Sequence, residues 1–144
     1  MSKKLIINTN NRKIKSLCKK VYEFMFKKFG EFSKKMVIID FVSPAEIKKL
    51  KKQIWNMNVY TDTITLIFED SIQIYLSKEI IKRNSLINNN TFENELVLVL
   101  IHSLLHSLNK NEDEVSKIQN VFFEEFRKEN KEFCGKNQEL RYEI

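Results

Sequence analysis

Apolar residues along the chain follow two spacings, one typical of strands and one typical of helices. Short runs rich in β-branched and aromatic residues predict strands, and stripes at intervals of three and four residues predict amphipathic helices. The predicted strands are residues 5–8, 36–41, 61–68 and 71–76, and the predicted helices are residues 12–29, 43–55, 78–86, 92–108 and 112–126. This order, βαβαββααα, predicts an α+β or α/β sandwich with at least one strand of opposite direction. We expect the α+β class, with a small mixed β-sheet packed with helices.

Capping and turn residues predict where several elements begin and end. Gly30 follows the last apolar turn of the first helix and is expected to end it. Ser43 precedes a proline and stands three residues before Glu46, which is the capping-box pattern of a helix start. Thr91 is the expected cap of the next long helix. The tight polar turn at residues 69–70 is expected to join two strands into a hairpin.

The helix predicted over residues 92–108 carries both histidines of the chain. It is apolar on nearly all sides, which is typical of a buried central helix. His102 and His106 lie four residues apart, so their side chains project from one face, one turn from each other. Two imidazoles in this arrangement can share one divalent ion, at about 2.0 to 2.1 Å for zinc. The alternative is a pair of core histidines hydrogen-bonded to backbone or water, since HxxxH alone is a weak motif.

A polar break after this helix offers a third ligand. The chain must turn back at residues 109–111, where Asn109 tolerates the left-handed conformation that ends helices. The turn can bring either Glu112 or Asp113 over the two histidines. The pattern therefore predicts a site of two histidines and one carboxylate with open coordination positions, which serves hydrolysis or redox chemistry.

Two other chemistries are disfavoured by the residues present. A zincin-type protease needs a glutamate directly after the first histidine as general base, and Ser103 stands there instead. Cys18 lies in a basic helix without a histidine nearby in sequence, so we expect a partly buried thiol and not a nucleophile.

Length and charge are those of one domain with a preference for anionic partners. The chain has 144 residues, of which 42% are hydrophobic, and we expect a single domain over residues 1–144. Its 25 Lys and Arg against 19 Asp and Glu give a net charge of +6, which favours a polyanion such as nucleic acid. With two Gly and one Pro, the chain has no GxGxxG or P-loop phosphate cradle and is not collagen-like.

The two cysteines and the apolar runs bear on location. Cys18 and Cys134 are far apart, which suggests neither a disulfide framework nor a cysteine metal site and fits a reducing compartment. The first 15 residues lack the apolar segment of a signal peptide, and the longest apolar run, residues 96–101, is far short of a membrane span. We therefore expect a cytoplasmic protein without a membrane partner.

Residues 102–112, HSLLHSLNKNE, resemble a known metal-site motif. The motif is H-G-x-L-H-L-x-G-Y-D-H, which belongs to the bacterial YbeY family of rRNA maturation endoribonucleases. Residues 42–50 are similar to that family's V-S-x-x-E-I-x-x-L-N segment, and residues 61–66 are similar to its T-D-V-L-S-F. Residues 71–74 lie where the family has its G-D-I-x-I strand. The resemblance is strongest over residues 42–126, in the same order and spacing.

The resemblance implies a fold, an activity and a set of site residues. Members are α+β proteins in which a central helix bears one zinc-like divalent ion held by three histidines. They act as single-strand endoribonucleases in 16S rRNA 3′-end processing and ribosome quality control, so the implied partners are RNA and the small ribosomal subunit, with no DNA. Carried over, the metal ligands are His102, His106 and Glu112, and the catalytic residues are Asp62 and Thr65. The implied cofactor is one divalent ion, zinc first, with nickel or another transition metal as alternatives.

Two departures from the family pattern bear on activity. Glu112 occupies the third histidine's position, and a carboxylate still binds zinc or another divalent ion. The family's arginine, a contact for substrate phosphate, falls on Trp55, which can stack on a base but carries no charge. Lys51 and Lys52 are the nearby candidates to supply that charge. These departures leave open a catalytically weakened rRNA-binding or ribosome-binding assembly factor. The site of two histidines and one carboxylate also leaves open a metallohydrolase acting on a small molecule.

Overall fold

The computed structural model of the protein describes residues 4–131, so that Cys134 lies outside the described residues. Within this range the elements follow the predicted order, with one short 3-10 helix in addition. The strands are β1 (Leu5–Asn8), β2 (Met36–Phe41), β3 (Thr63–Ile67) and β4 (Ser71–Leu76). The helices are α1 (Arg12–Lys28), α2 (Pro44–Trp55), α3 (Lys78–Ile87), α4 (Phe92–His106) and α5 (Glu112–Glu129).

The strands form one mixed sheet in the order β1-β2-β4-β3. Strand β2 is parallel to both β1 and β4, whereas β3 pairs with β4 in the antiparallel direction. The β3–β4 hairpin is closed by a hydrogen bond from Phe68 N to Ser71 O of 2.8 Å. The predicted α+β class, the mixed sheet and the hairpin are therefore confirmed, and β3 lies at one edge of the sheet.

The two faces of the sheet bury very different amounts of apolar surface. On one face, β2 and β4 contribute Val37, Ile39, Ile72 and Ile74 to a large core shared with α1, α4 and α5. On the other face, α2 covers a small cluster whose fully or nearly fully buried members are Ile47, Ile64 and Ile80. We call these the large core and the small cluster. The strand alternation that places successive side chains on opposite faces produces this division.

Local signals account for most of the helix ends. Ser43 accepts a hydrogen bond from Glu46 N and donates its own backbone N–H to the Glu46 carboxylate, which completes the predicted capping box of α2. Thr91 caps α4, as predicted, by accepting from Asn94 N. Helix α1 ends at Lys28, directly before the predicted stop, but Phe29 is its C-cap and Gly30 opens the 3-10 helix Gly30–Lys34 without a positive φ.

Helix α4 is the buried centre of the molecule, as its apolar sequence predicts. Ten of its residues are buried, and it contacts α1, α3, α5 and β3. It ends at His106, two residues earlier than predicted, and Asn109 then adopts a φ of 62°. This left-handed residue turns the chain back so that α5 packs beside α4. Among residues 4–131, no helix combines the length and apolar character needed to cross a bilayer.

Candidate functional site

His102 and His106 project from the last turn of α4 at the edge of the large core. Both side chains are partly buried, and their ring centroids are 4.5 Å apart with planes at 70° to each other. The intervening residues Ser103, Leu104 and Leu105 are buried, so the backbone of this turn is held firmly in place. The helical spacing of four thus brings the two imidazoles together on an accessible face, as predicted.

Glu112 reaches the same position from the first turn of α5. Asn111 caps this helix by accepting from Glu114 N at 2.9 Å, which directs the first turn back over α4. Glu112 Oε1 lies 2.8 Å from His106 Nε2. One ligand atom from each of His102, His106 and Glu112 lies within 4.8 Å of the other two, and the group contains Glu112 and not Asp113 among the described residues.

This donor set fits one divalent ion. Two imidazole nitrogens and a carboxylate oxygen are ligands that zinc and other transition metals share. The Glu112 side chain is 73% exposed, so it is free to adjust its distance to the two rings. Three protein ligands would leave room for water or substrate, as catalytic zinc sites do, whereas structural sites use four protein ligands.

A fourth residue, Gln119, orients His102. His102 Nδ1 lies 2.7 Å from Gln119 Oε1, and because an amide oxygen only accepts, Nδ1 carries the hydrogen. His102 Nε2 is then left with its lone pair, as a metal ligand requires. The sequence pattern did not predict that Gln119 belongs to the site. The available signal was its spacing of seven residues from Glu112, which places both polar side chains on one face of α5.

The opposite wall of the site is the start of β3. The Thr63 and Ser103 hydroxyl oxygens are 2.8 Å apart, and this hydrogen bond ties β3 to α4 beside His102. Thr65 lies two residues along the strand and so on the same face as Thr63. Asp62 precedes the strand, which begins at Thr63 and not at residue 61 as predicted.

Among the acids that the structure describes near the histidines, Asp62 is the one whose pKa is shifted. Its partial burial raises the pKa of its carboxyl above the ordinary value for an aspartate. Hydrogen bonds from its own backbone, from the Asn84 side chain and from Thr63 N oppose this shift, as does the charge of His102 when protonated. A carboxyl of this kind is protonated in a larger fraction of molecules than an exposed aspartate, so it is suited to exchange a proton with a reactant.

The two walls enclose an open cleft with a volume of about 420 Å³. Lys51 and Trp55, from the end of α2, line it together with residues 61–65 and the three candidate ligands. The structure therefore brings together all five residues that the sequence analysis named as catalytic or metal-binding. Trp55 lies at the same cleft, whereas Lys52 is exposed and is not part of the lining.

Cys18 lies far from this chemistry, in the large core. Its side chain is fully buried, and this burial raises the pKa of the thiol to about 12. A thiol in this environment is protonated at neutral pH and is not a nucleophile. The structure therefore agrees with the prediction that Cys18 is not catalytic.

Comparison with known proteins places the whole described chain in one family. The family model described as Endoribonuclease YbeY matches residues 2–131. The chain belongs to the YbeY family. The Endoribonuclease YbeY of Thermotoga neapolitana is 31% identical over 121 residues, which are 78% of this chain and 79% of that protein. The corresponding protein of Thermotoga maritima is 30% identical over 125 residues, or 85% of this chain and 81% of that one.

A solved structure agrees with the YbeY assignment. The solution structure of a Thermotoga maritima protein superposes with a TM-score of 0.63 at 31% sequence identity, over 90% of this chain and 91% of that chain. The YbeY resemblance inferred from residues 42–126 is thus confirmed, and the match to the family model begins at residue 2.

Proposed function

We propose that the protein is a metal-dependent endoribonuclease that cleaves single-stranded RNA. The observation that carries this proposal is the convergence of His102, His106 and Glu112 at one cleft, opposite Asp62, in a chain of the YbeY family. Cleavage of an RNA phosphodiester needs charge stabilisation at a phosphate oxygen and a route for protons. The cleft offers groups for both tasks.

Each residue of the site has a task that follows from its chemistry. His102, His106 and Glu112 hold one divalent ion, zinc in the first place, and Gln119 keeps His102 in the tautomer that binds it. When bound, the ion supplies Lewis-acid stabilisation of negative charge. Asp62, with its raised pKa, takes up or releases the proton.

Thr65 is proposed to position the substrate. Its side chain lies on the face of β3 that lines the cleft, so its hydroxyl is placed to donate to a phosphate oxygen. We expect Thr65→Ser to keep most of the activity, because the hydroxyl remains, and Thr65→Val to lose it at similar volume.

The biological substrate that we propose is the precursor of 16S rRNA, at its 3′ end, with a role in ribosome quality control. The family assignment and the net charge of +6 support an RNA partner held near the small ribosomal subunit. We infer that the protein acts in the cytoplasm, with neither DNA nor a membrane as partner. Cells that lack the protein should accumulate 16S rRNA with an extended 3′ end.

The deciding experiment is the metal content of the untagged protein, measured by elemental mass spectrometry. We expect about one zinc per chain, with His106→Ala and Glu112→Gln losing it and Asp113→Asn, the neighbouring acid outside the ligand group, keeping it. Cleavage of single-stranded RNA should stop on chelation and return with the same metal. Protein that binds no metal even after reconstitution would contradict the proposal and favour the alternative, an rRNA-binding assembly factor without cleavage.

A further inference from the structure

A patch of exposed apolar side chains lies between the end of α2 and β3. The chain leaves α2 through Asn56, which has a φ of 56°, and then runs irregularly to the cleft. Trp55 is 44% exposed and Tyr60 is 53% exposed. Ile54, Met57 and Val59 are exposed to a similar degree, so five of the seven residues 54–60 present an exposed apolar side chain. A concentration of exposed apolar side chains beside a candidate site indicates a binding surface.

Each of the two aromatic rings carries a lysine ammonium over it. Lys51 Nζ lies 4.7 Å from the centroid of the Trp55 ring, and Lys48 Nζ lies 4.4 Å from that of Tyr60. The helix that presents them has four lysines against one acid, Glu46. Paired rings and cations are the elements from which proteins build surfaces for unpaired nucleic acid, because bases stack on the rings and phosphates meet the cations.

This patch is continuous with the candidate catalytic cleft. Trp55 and Lys51 line the cleft that His102, His106 and Glu112 also line, and Tyr60 directly precedes the lining residue Thr61. A nucleotide stacked on Trp55 would therefore be joined by its backbone to a phosphate near the candidate ligands. The positive charge and the flat rings favour a nucleobase as occupant over a lipid tail or an apolar peptide.

We propose that Trp55 is a specificity-determining residue that stacks on one unpaired base beside the scissile phosphate, while Lys51 contacts the phosphate next to that base. A purine has a larger ring system than a pyrimidine and overlaps more of the Trp55 ring. Trp55 should therefore favour a purine at this position, since stacking strength sets such preferences. This inference rests on the proposed function, because it takes RNA as the substrate. It goes further by naming the residue that selects where the RNA is cut.

Trp55 is also the only tryptophan of the chain, so its fluorescence reports directly on the proposed contact. The test uses protein kept metal-free with chelator and single-stranded RNA of about six nucleotides, within the range of single-strand sites. We expect oligoadenylate to quench the fluorescence and to protect Trp55 from acrylamide. Oligouridylate should do so less, and an abasic ribose-phosphate chain of the same length should do neither.

Substitutions separate stacking from charge, with affinities measured by the anisotropy of a labelled RNA. Trp55→Ala should weaken binding about tenfold, as loss of one stacked base does, and Trp55→Phe should weaken it much less. Phe68→Ala, an exposed aromatic residue outside the cleft lining, is the matched control and should have no effect. Lys51→Ala should lower the slope of log affinity against log salt by about 1, and Lys51→Arg should restore it.

Lys49 provides the control for the charge itself. It lies on α2 but is exposed and is outside the cleft lining, so Lys49→Ala should reduce affinity less than Lys51→Ala does. In the active enzyme, Trp55→Ala should abolish the difference in cleavage rate between substrates with a purine and with a pyrimidine beside the cut.

The outcomes distinguish this inference from the proposed function. Unchanged Trp55 fluorescence at RNA concentrations that saturate the anisotropy signal would overturn the stacking contact, even if the enzyme cleaves RNA. Absence of any RNA binding would overturn it as well. Base-dependent quenching in a protein that neither binds metal nor cleaves RNA would support the contact, and the endoribonuclease proposal alone would fail.

Discussion

The two faces of the sheet differ in how much they bury, and the candidate site lies where they meet. Among residues 4–131, the large core contains 25 buried residues drawn from most of the elements, whereas the small cluster has three. Elsewhere on the second face polar and partly exposed apolar side chains alternate, and Asp40 accepts hydrogen bonds from Asn8 Nδ2 at 2.6 Å and Gln73 Nε2 at 2.8 Å.

The two walls of the cleft therefore differ in how firmly the core holds them. Helices α4 and α5, which carry the candidate ligands, are anchored in the large core, so the positions of the two histidines are well determined. Helix α2, which carries Lys51 and Trp55, is held by the small cluster and has only one buried residue, Ile47. The ligand wall is therefore the rigid one, and the proposed RNA-binding wall is the one that local change displaces most easily.

The largest expected effect on stability comes from the large core. Leu96→Ala removes a fully buried side chain of α4 and should lower the free energy of unfolding by about 2–5 kcal/mol. Leu96 lies more than one turn before His102, so the metal content of the folded variant should stay the same. Chemical denaturation measures the first quantity and elemental analysis the second. A loss below about 1 kcal/mol would contradict the division into a large core and a small cluster.

The matching substitution in the small cluster is Ile47→Ala. Its cost should fall toward the lower end of the same range, about 2 kcal/mol, because α2 is mostly exposed and can shift to close the space. The same shift should displace Trp55 and weaken RNA binding, which Leu96→Ala should not do. Equal effects of the two variants on RNA affinity would show that α2 is not the more mobile wall.

A smaller effect is expected at the turn that carries Glu112 to the histidines. Asn109 has a φ of 62°, which costs alanine about 1 kcal/mol and glycine nothing. Asn109→Ala should therefore lower the free energy of unfolding by about 1 kcal/mol and weaken metal binding, whereas Asn109→Gly should do neither. Equal metal affinity of the Asn109→Ala and Asn109→Gly variants would show that the conformation of residue 109 does not affect the candidate metal site.

Asp62 should show a small, pH-dependent cost to stability. Its pKa is raised in the folded protein, so on raising the pH the unfolded chain loses this proton first. In metal-free protein, the contribution of Asp62 to the free energy of unfolding should thus decline as the pH rises. The decline should begin near 3.8, the pKa of Asp62 in the unfolded chain, and end above its raised pKa in the folded protein. Asp62→Asn should remove this decline, making the variant more stable than the wild type near neutral pH but inactive. Asp70→Asn, at an exposed turn, serves as control, and an identical pH profile for both would contradict the effect of burial.

The smallest expected signal comes from Cys18 inside the large core. With a pKa of about 12 and a fully buried side chain, it should not react with thiol reagents in the native protein at neutral pH. The measurement uses a Cys134→Ser variant, so that Cys18 is the only thiol. Reaction should begin only with denaturant, and rapid reaction in buffer would show that the large core opens.

Sequence reasoning predicted the features that depend on local spacing. The helical interval between His102 and His106, the capping residues Ser43 and Thr91 and the left-handed Asn109 all act within a few residues, so their patterns predict the structure directly. The order of the elements followed from the periods of the apolar stripes, and the family motif covered residues 102–112.

Contacts between elements that are distant in the sequence could not be predicted from local spacing. The pairing of His102 with Gln119 depends on how α4 and α5 pack, and the hydrogen bond between Thr63 and Ser103 depends on where α4 crosses the sheet. The spacing of apolar residues along the chain predicts neither how two helices pack nor where a helix crosses the sheet. At Gly30 the sequence predicts where the helix ends but not the backbone conformation, because glycine is free to adopt many.

The position of the candidate ligands along the chain bears on the order in which the molecule assembles. His102, His106 and Glu112 lie within the eleven residues 102–112, in a helical hairpin that forms from local contacts. The sheet, by contrast, needs β1 to pair with β2 and β2 with β4 over separations of more than 30 residues, which is slow. The proposed ion would therefore close a loop of only about ten residues, which costs far less chain entropy than the pairing of the strands does.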